Sequence, residues 1–277
     1  MALPVVHRPV HPALQAGPLE EDAVWPAVLL AGTAGFIDAA GYLLLAHLFT
    51  AHMSGNTVAA SVSVGTGHWA AAAQRAYPLP WFIIGIVSGR LFAQSAETET
   101  VDSGSEGIRP RKYLGLPSGA AALALEAAAI TGAIVVGVTN GTGDANLGWS
   151  TLFCGASLAF AMGIQNTVLR RRDRAGHATT PVRTSYISGT LTQLVEEAVD
   201  TLSSIARRRG EGEPPVPKRQ MLLQGGIYAA YVTGAILSGL TTLALKTSSW
   251  WALTLPLIVL GVLIVRETKG RHTARRA

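Results

Sequence analysis

The chain has 277 residues, 49% of them hydrophobic and only 14% charged, with a net charge of +5 and a mean hydropathy of +0.33. Soluble domains average about 25% charged residues, and here the apolar residues gather in long stretches, which excludes an ordinary soluble domain. Cys154 is the single cysteine, so an intramolecular disulfide and a cysteine-based metal centre are excluded, and no metal or other cofactor is expected.

In chain order, residues 1–23 carry His7, Arg8, His11, Glu20, Glu21 and Asp22 without an apolar core. They read as a cytoplasmic tail rather than a cleavable signal. Six apolar segments follow: Val24–His47, Leu79–Arg90, Ser118–Val138, Trp149–Leu169, Met221–Leu245 and Trp250–Val265. Most are long enough to cross a hydrocarbon core of roughly 30 Å as helix. The Leu79 segment is short unless its helix extends back toward Ala70. Asp38, Glu126 and the terminal Arg90 are their only charged residues. A polar loop, 94–116, interrupts the first half, and a turn-rich linker, 139–148, separates it from the second. The last residues, 266–277, form a basic tail.

Basic residues in short loops mark the cytoplasmic face. Arg170, Arg171, Arg172, Arg174 and Arg183 precede the weak segment 186–206, and Arg207, Arg208, Arg209, Lys218 and Arg219 follow it. Both flanks therefore belong on one side, and the segment dips in and returns or lies on the surface. Its counterpart, 54–75, has nearly uncharged flanks and is expected to do the same from the other side. The expected architecture is an all-α integral membrane protein with six transmembrane helices. They form two inverted three-helix repeats, 24–138 and 149–265, each with a re-entrant or half-helix element. Both termini are then cytoplasmic. The basic residues serve as orientation signals and lipid contacts, not as a nucleic-acid surface.

The repeats announce themselves through paired motifs. Gly35-Phe-Ile-Asp38 precedes Phe49-Thr-Ala-His-Met-Ser-Gly-Asn-Thr57, and Gly163-Ile-Gln-Asn166 precedes Ile187-Ser-Gly-Thr190. Doubled polar interruptions in membrane sequence point to a transporter's binding site. If Ser54, Gly55, Asn56 and Thr57 open one half-helix and Ser188, Gly189 and Thr190 open another, their free N–H groups favour an anion or the polar end of a neutral solute. The plainer reading is close helix packing. Gln165 and Asn166 would line the path. A carboxylate at mid-span costs roughly 2.5–3.5 kcal/mol, so Asp38 either couples protons or binds a cation or substrate, or it is a neutral acid hydrogen-bonded across the repeat interface, and the residues leave these open. His52 is a candidate proton shuttle at the outer mouth, or a solvated loop residue. Glu126 is expected to pair with Arg90 or Lys112. No phosphate loop, zinc-protease motif or nucleophile elbow is present, and no catalytic residue is expected.

At Gly35–Tyr42, Phe49–Thr57, Ala161–Asn166 and Ile187–Thr190 the chain resembles the YoaK-like family of bacterial membrane proteins, a domain of unknown function. Ser54 stands where the family usually has threonine, keeping the hydroxyl. The resemblance implies a six-span bacterial inner-membrane protein and supplies no substrate. The expected function is a permease for a small polar or anionic solute, open to proton coupling and to homo-oligomer formation. The alternative is a non-transporting scaffold or sensor.

Overall fold

The computed structural model describes residues 21–97, 112–113, 116–142, 148–172, 195, 199 and 218–273. Ser188, Gly189, Thr190 and most of the segment 186–206 lie outside them. Apart from a two-residue antiparallel pairing of Lys112–Tyr113 with Leu116–Pro117, the described elements are helical. These are α1 (Glu21–Leu44), α2 (Met53–Gly65), α3 (Trp69–Ala76), α4 (Pro78–Glu97), α5 (Ser118–Asn140), α6 (Trp149–Arg172), α7 (Lys218–Leu245) and α8 (Thr254–Thr273), with a 3-10 helix, Lys246–Leu253, joining α7 to α8.

Among the described residues, four stretches are long and apolar enough to cross a membrane: Trp25–Leu44, Gly119–Asn140, Leu222–Leu245 and Ser248–Lys269. In hydrocarbon every backbone group must bond internally, and continuous helix is the way such a chain achieves it. The α4 helix gains its length beyond Arg90 rather than by running back to Ala70. Tyr77 separates it from α3, and it continues to Glu97. The α2 helix has 13 residues, about 20 Å at 1.5 Å per residue, which is short of a bilayer core. After a turn at Thr66–His68 the chain reverses into α3, making a helical hairpin.

Two helix pairs hold the bundle together by backbone contact. On α1 and α7, a Cβ on Gly35 would collide with the Tyr231 carbonyl, and one on Gly234 with the Gly32 carbonyl. On α4 and α6, a Cβ on Gly163 would collide with the Phe82 carbonyl, and one on Gly85 with the Phe160 carbonyl. Each crossing thus uses two positions, three residues apart, on each helix, with a glycine closing each contact. Without a hydrophobic drive between helices in lipid, such close approach supplies much of the association energy. Contacts advance in step along both pairs, from Val28–Gly226 to Gly35–Tyr231 and from Gly85–Phe160 to Gly89–Thr167. Both pairs therefore run parallel.

The α5 helix packs between α6 and α8. Cys154 Sγ donates to the Ala133 carbonyl at 3.3 Å, and the Trp250 ring covers Gly137 so closely that no larger side chain fits there. The core centres on α1, where Leu30, Ala31, Ala34, Ile37 and Ala40 are almost completely buried, and it continues through Leu123, Ile130, Leu158 and Leu260. The α7 helix is the opposite case. It exposes Leu222, Ile236, Leu240 and Leu243, a surface suited to lipid tails.

Candidate functional site

Asp38 lies six residues before the end of α1 and is 2% exposed. Helix α1 stops where Ala46 and His47 adopt left-handed backbone angles, φ 52° and 62°. Such angles are costly for residues with a side chain and must be held by their surroundings. From there the chain folds back along α1. Gly41 makes this close approach feasible: a Cβ there would lie 2.8 Å from Thr50 Cγ2 and 3.0 Å from the Leu48 carbonyl oxygen.

The returning loop delivers its backbone to the carboxylate. Asp38 Oδ1 accepts from the N–H groups of Thr50 at 2.7 Å and Ala51 at 2.8 Å, and from the Thr50 hydroxyl at 3.3 Å. Oδ2 faces His52 Nδ1 at 2.5 Å and accepts from the Tyr231 hydroxyl on α7 at 2.8 Å. The Tyr231 oxygen and His52 Nδ1 are themselves 3.0 Å apart. With Asp38 ionised, the network requires the tautomer with hydrogen on Nδ1. Five donors around one buried carboxylate meet the requirement that buried charge be paired and hydrogen-bonded. His52 is partly exposed, its side chain at 23%, so it connects Asp38 to the surface of the fold.

Further bonds fix the same loop from outside. Arg75 on α3 donates to the Ala46 carbonyl at 3.0 Å and the His47 carbonyl at 2.7 Å, the two strained positions. The Thr142 hydroxyl donates to the Leu44 carbonyl at 2.9 Å and accepts from the Trp250 indole at 3.3 Å. These contacts bring the ends of α1 and α5 to one rim. An aromatic series, Tyr42, Phe49, His52 and Tyr231, crosses the loop with ring centroids 5.3–6.4 Å apart.

The other expected site residues separate into distinct places. Asn56 is buried, and its amide grips the loop: Oδ1 accepts from the Phe49 N–H at 3.1 Å and Nδ2 donates to the Phe49 carbonyl at 2.6 Å. Gly55 packs under the Phe49 ring, where a Cβ would come within 3.0 Å. Ser54 and Thr57 are exposed, Thr57 bonding back to the Met53 carbonyl at 2.8 Å. Helix α2 begins at Met53, with His52 rather than Ser54 as its flanking residue. Its first donors are partly used, Met53 N–H on the Ala51 carbonyl and Gly55 N–H on the His52 carbonyl. Gln165 is buried and donates to the Leu30 carbonyl at 2.7 Å, while Asn166 is half-buried. Neither is bonded to the Asp38 cluster in the contacts above.

Tyr231 is the residue that sequence reading passes over. Nothing in an apolar helix distinguishes a tyrosine at the lipid interface from one reaching a buried acid 193 residues away. Glu126 differs from expectation. It is fully buried, and among the described residues neither of its oxygens has a hydrogen-bond partner. The expected pairing with Arg90 is not seen among the described residues, and the Lys112 side chain lies outside them. Among the described residues no cluster of side chains could hold a metal ion.

Residues 26–265 match the protein family described as "Protein of unknown function (DUF1275)". Over 69 residues the chain is 38% identical to the UPF0700 transmembrane protein YoaK of Bacillus subtilis (strain 168). That similarity covers 25% of this chain and 31% of the relative. No solved structure matches the chain.

Proposed function

The chain belongs to the DUF1275 family, and from that premise we propose that this membrane protein is a permease for a small polar solute, gated by proton exchange at Asp38. The carrying observation is that one carboxylate holds the 45–52 loop through Oδ1 and meets His52 and Tyr231 through Oδ2. When a proton reaches Asp38 through His52, the anionic acceptor of the Thr50 and Ala51 N–H groups is lost. Charge-assisted bonds are roughly twice as strong as neutral ones, so the loop's tether weakens as the proton arrives. Proton binding and opening are thereby linked.

The polar end of α2 already receives negative charge from within the protein, since Asp38 sits on the residues that lead into it. This favours a neutral polar solute over an anion at Ser54–Thr57. The paired crossings, α1 with α7 and α6 with α4, support two related halves. In that arrangement six spans form inverted three-helix repeats in the bacterial inner membrane, with both termini cytoplasmic. The reading includes no enzymatic step.

Flux into liposomes containing the full chain, with and without a pH gradient, tests this. Sugars, polyols, amino acids and small organic anions are the solutes to offer. Gradient-dependent uptake that Asp38→Asn abolishes while the protein remains folded is expected. Absence of both solute and proton movement in the wild type would sink it. One observation favours a scaffold instead: Asp38 and Asn56 both spend their side chains on loop backbone. For a scaffold, Asp38→Asn lowers thermal stability and no flux exists to lose.

A further inference from the structure

We propose that Glu126 is a second protonation site, separate from the Asp38 cluster, which carries a proton in this conformation and exchanges it only when the helices around α5 part. The two buried acids have opposite surroundings. Asp38 is encircled by donors, whereas Glu126 is 0% exposed and, among the described residues, neither oxygen meets a donor. A bare carboxylate in such a place is far costlier than a neutral acid. The environment is therefore built for the carboxylic acid, and the ligand it takes is a proton.

The positions are well separated. The ends of α1 and α5 share a rim through Thr142 and the Leu44 carbonyl. Asp38 lies about 9 Å below that rim and Glu126 about 21 Å, from their places on the helices at 1.5 Å per residue. Gly119 against Glu267 of α8 and Gly137 against Trp250 of the 3-10 helix set the register of α5 on this antiparallel stretch, which puts the fully buried Leu260 level with Glu126. The described titratable groups on neighbouring elements stand elsewhere. Glu267, with Arg266 and Lys269 beside it, is level with the first turn of α5, Arg90 on α4 follows Gly89, which lies against Ile164 and Thr167 toward the end of α6, and Cys154 on α6 is bonded to Ala133. Exchange consists of breaking the Glu126 O–H bond as an entering water accepts the proton, and it needs no other reactant. The inference deepens the proton-exchange reading above, yet its test reads Glu126 whether or not any solute moves.

Infrared spectra of the full chain in lipid vesicles provide that test. A carboxylic-acid C=O stretch is expected in the wild type and in Asp38→Asn, and absent in Glu126→Gln. Should the glutamine variant not fold, Glu126→Leu replaces it with the same expected loss. In D2O the band should shift slowly, and at least about tenfold faster in Leu260→Ala, which opens the core packing at the acid's level. Identical wild-type and Glu126-variant spectra would overturn the proposal. So would a band lost only in Asp38→Asn, or one that fails to exchange in both the wild type and Leu260→Ala.

Discussion

Asp38 and Asn56 both act on the same eight-residue return of the chain, and their substitutions should differ in kind. Asp38→Ala strands the Thr50 and Ala51 N–H groups in a buried place. Each unsatisfied donor costs about 1–3 kcal/mol, so a stability loss of roughly 2–5 kcal/mol is expected in denaturation of the detergent-solubilised protein. Tyr231→Phe removes one donor and leaves the others. It should cost about 1–2 kcal/mol, since bonds inside membrane proteins average nearer 0.6 kcal/mol and those to charge exceed that. If Tyr231→Phe is neutral while Asp38→Ala is severe, the hydroxyl contributes nothing to the latch. Arg75→Ala uncaps the Ala46 and His47 carbonyls and should expose the loop to hydrogen exchange without altering the exchange of α5 amides.

At the scale of elements, the parallel pairs depend on glycine rather than on matched side chains. Gly35→Ala forces a Cβ into the Tyr231 carbonyl, and the backbones of α1 and α7 must separate to admit it. Because Tyr231 hangs from that same turn of α7, the substitution should also withdraw its hydroxyl from Asp38. Gly163→Ala makes the equivalent intrusion between α6 and α4, where its nearest neighbours are Phe82, Gly85 and Ile86 rather than residues of the Asp38 cluster. Both variants should lose several kcal/mol, in the range for overpacking, about 1–3 kcal/mol or more. Only Gly35→Ala should perturb the loop at 45–52, as read by labelling of a cysteine placed at Ser54. Equal loop labelling in both variants would show that the α1–α7 crossing does not position the cluster. Sequence spacing made these glycines visible as small residues in apolar segments, yet it could not pair them. Helices that are apolar all round carry no stripe to announce which face meets which neighbour.

For the whole molecule, the paired crossings and the short α2–α3 hairpin bear on how the bundle is threaded through a bilayer. Two inverted halves require that residues before Val24 and after Val265 meet reagents only from the cytoplasmic side. Single cysteines introduced at Arg8, Thr142 and Arg275, in a Cys154→Ala background, should divide into inside, outside and inside by membrane-impermeant labelling. Labelling of all three from one side would overturn the six-span arrangement. The exposed face of α7, with Leu222, Ile236, Leu240 and Leu243 outermost, is expected to lie in lipid in the same arrangement.

What the amino-acid order determined by itself is whatever depends on local composition. The membrane character, the helical elements, the oddity of a carboxylate at position 38 and the doubling of Gly-x-x-polar steps all follow from hydrophobic runs and short spacings. Hydrocarbon leaves a helix-forming chain few alternatives, which makes that part legible. Only the tertiary structure decided the partners: His52 and Tyr231 on Asp38, Asn56 on Phe49, Arg75 on the strained turn, and, among the described residues, no donor on Glu126. Those outcomes depend on how each helix is rotated and on hydrogen bonds spanning up to 193 residues. Uniformly greasy helices leave rotation to backbone fit, and backbone fit exists only once the bundle has assembled.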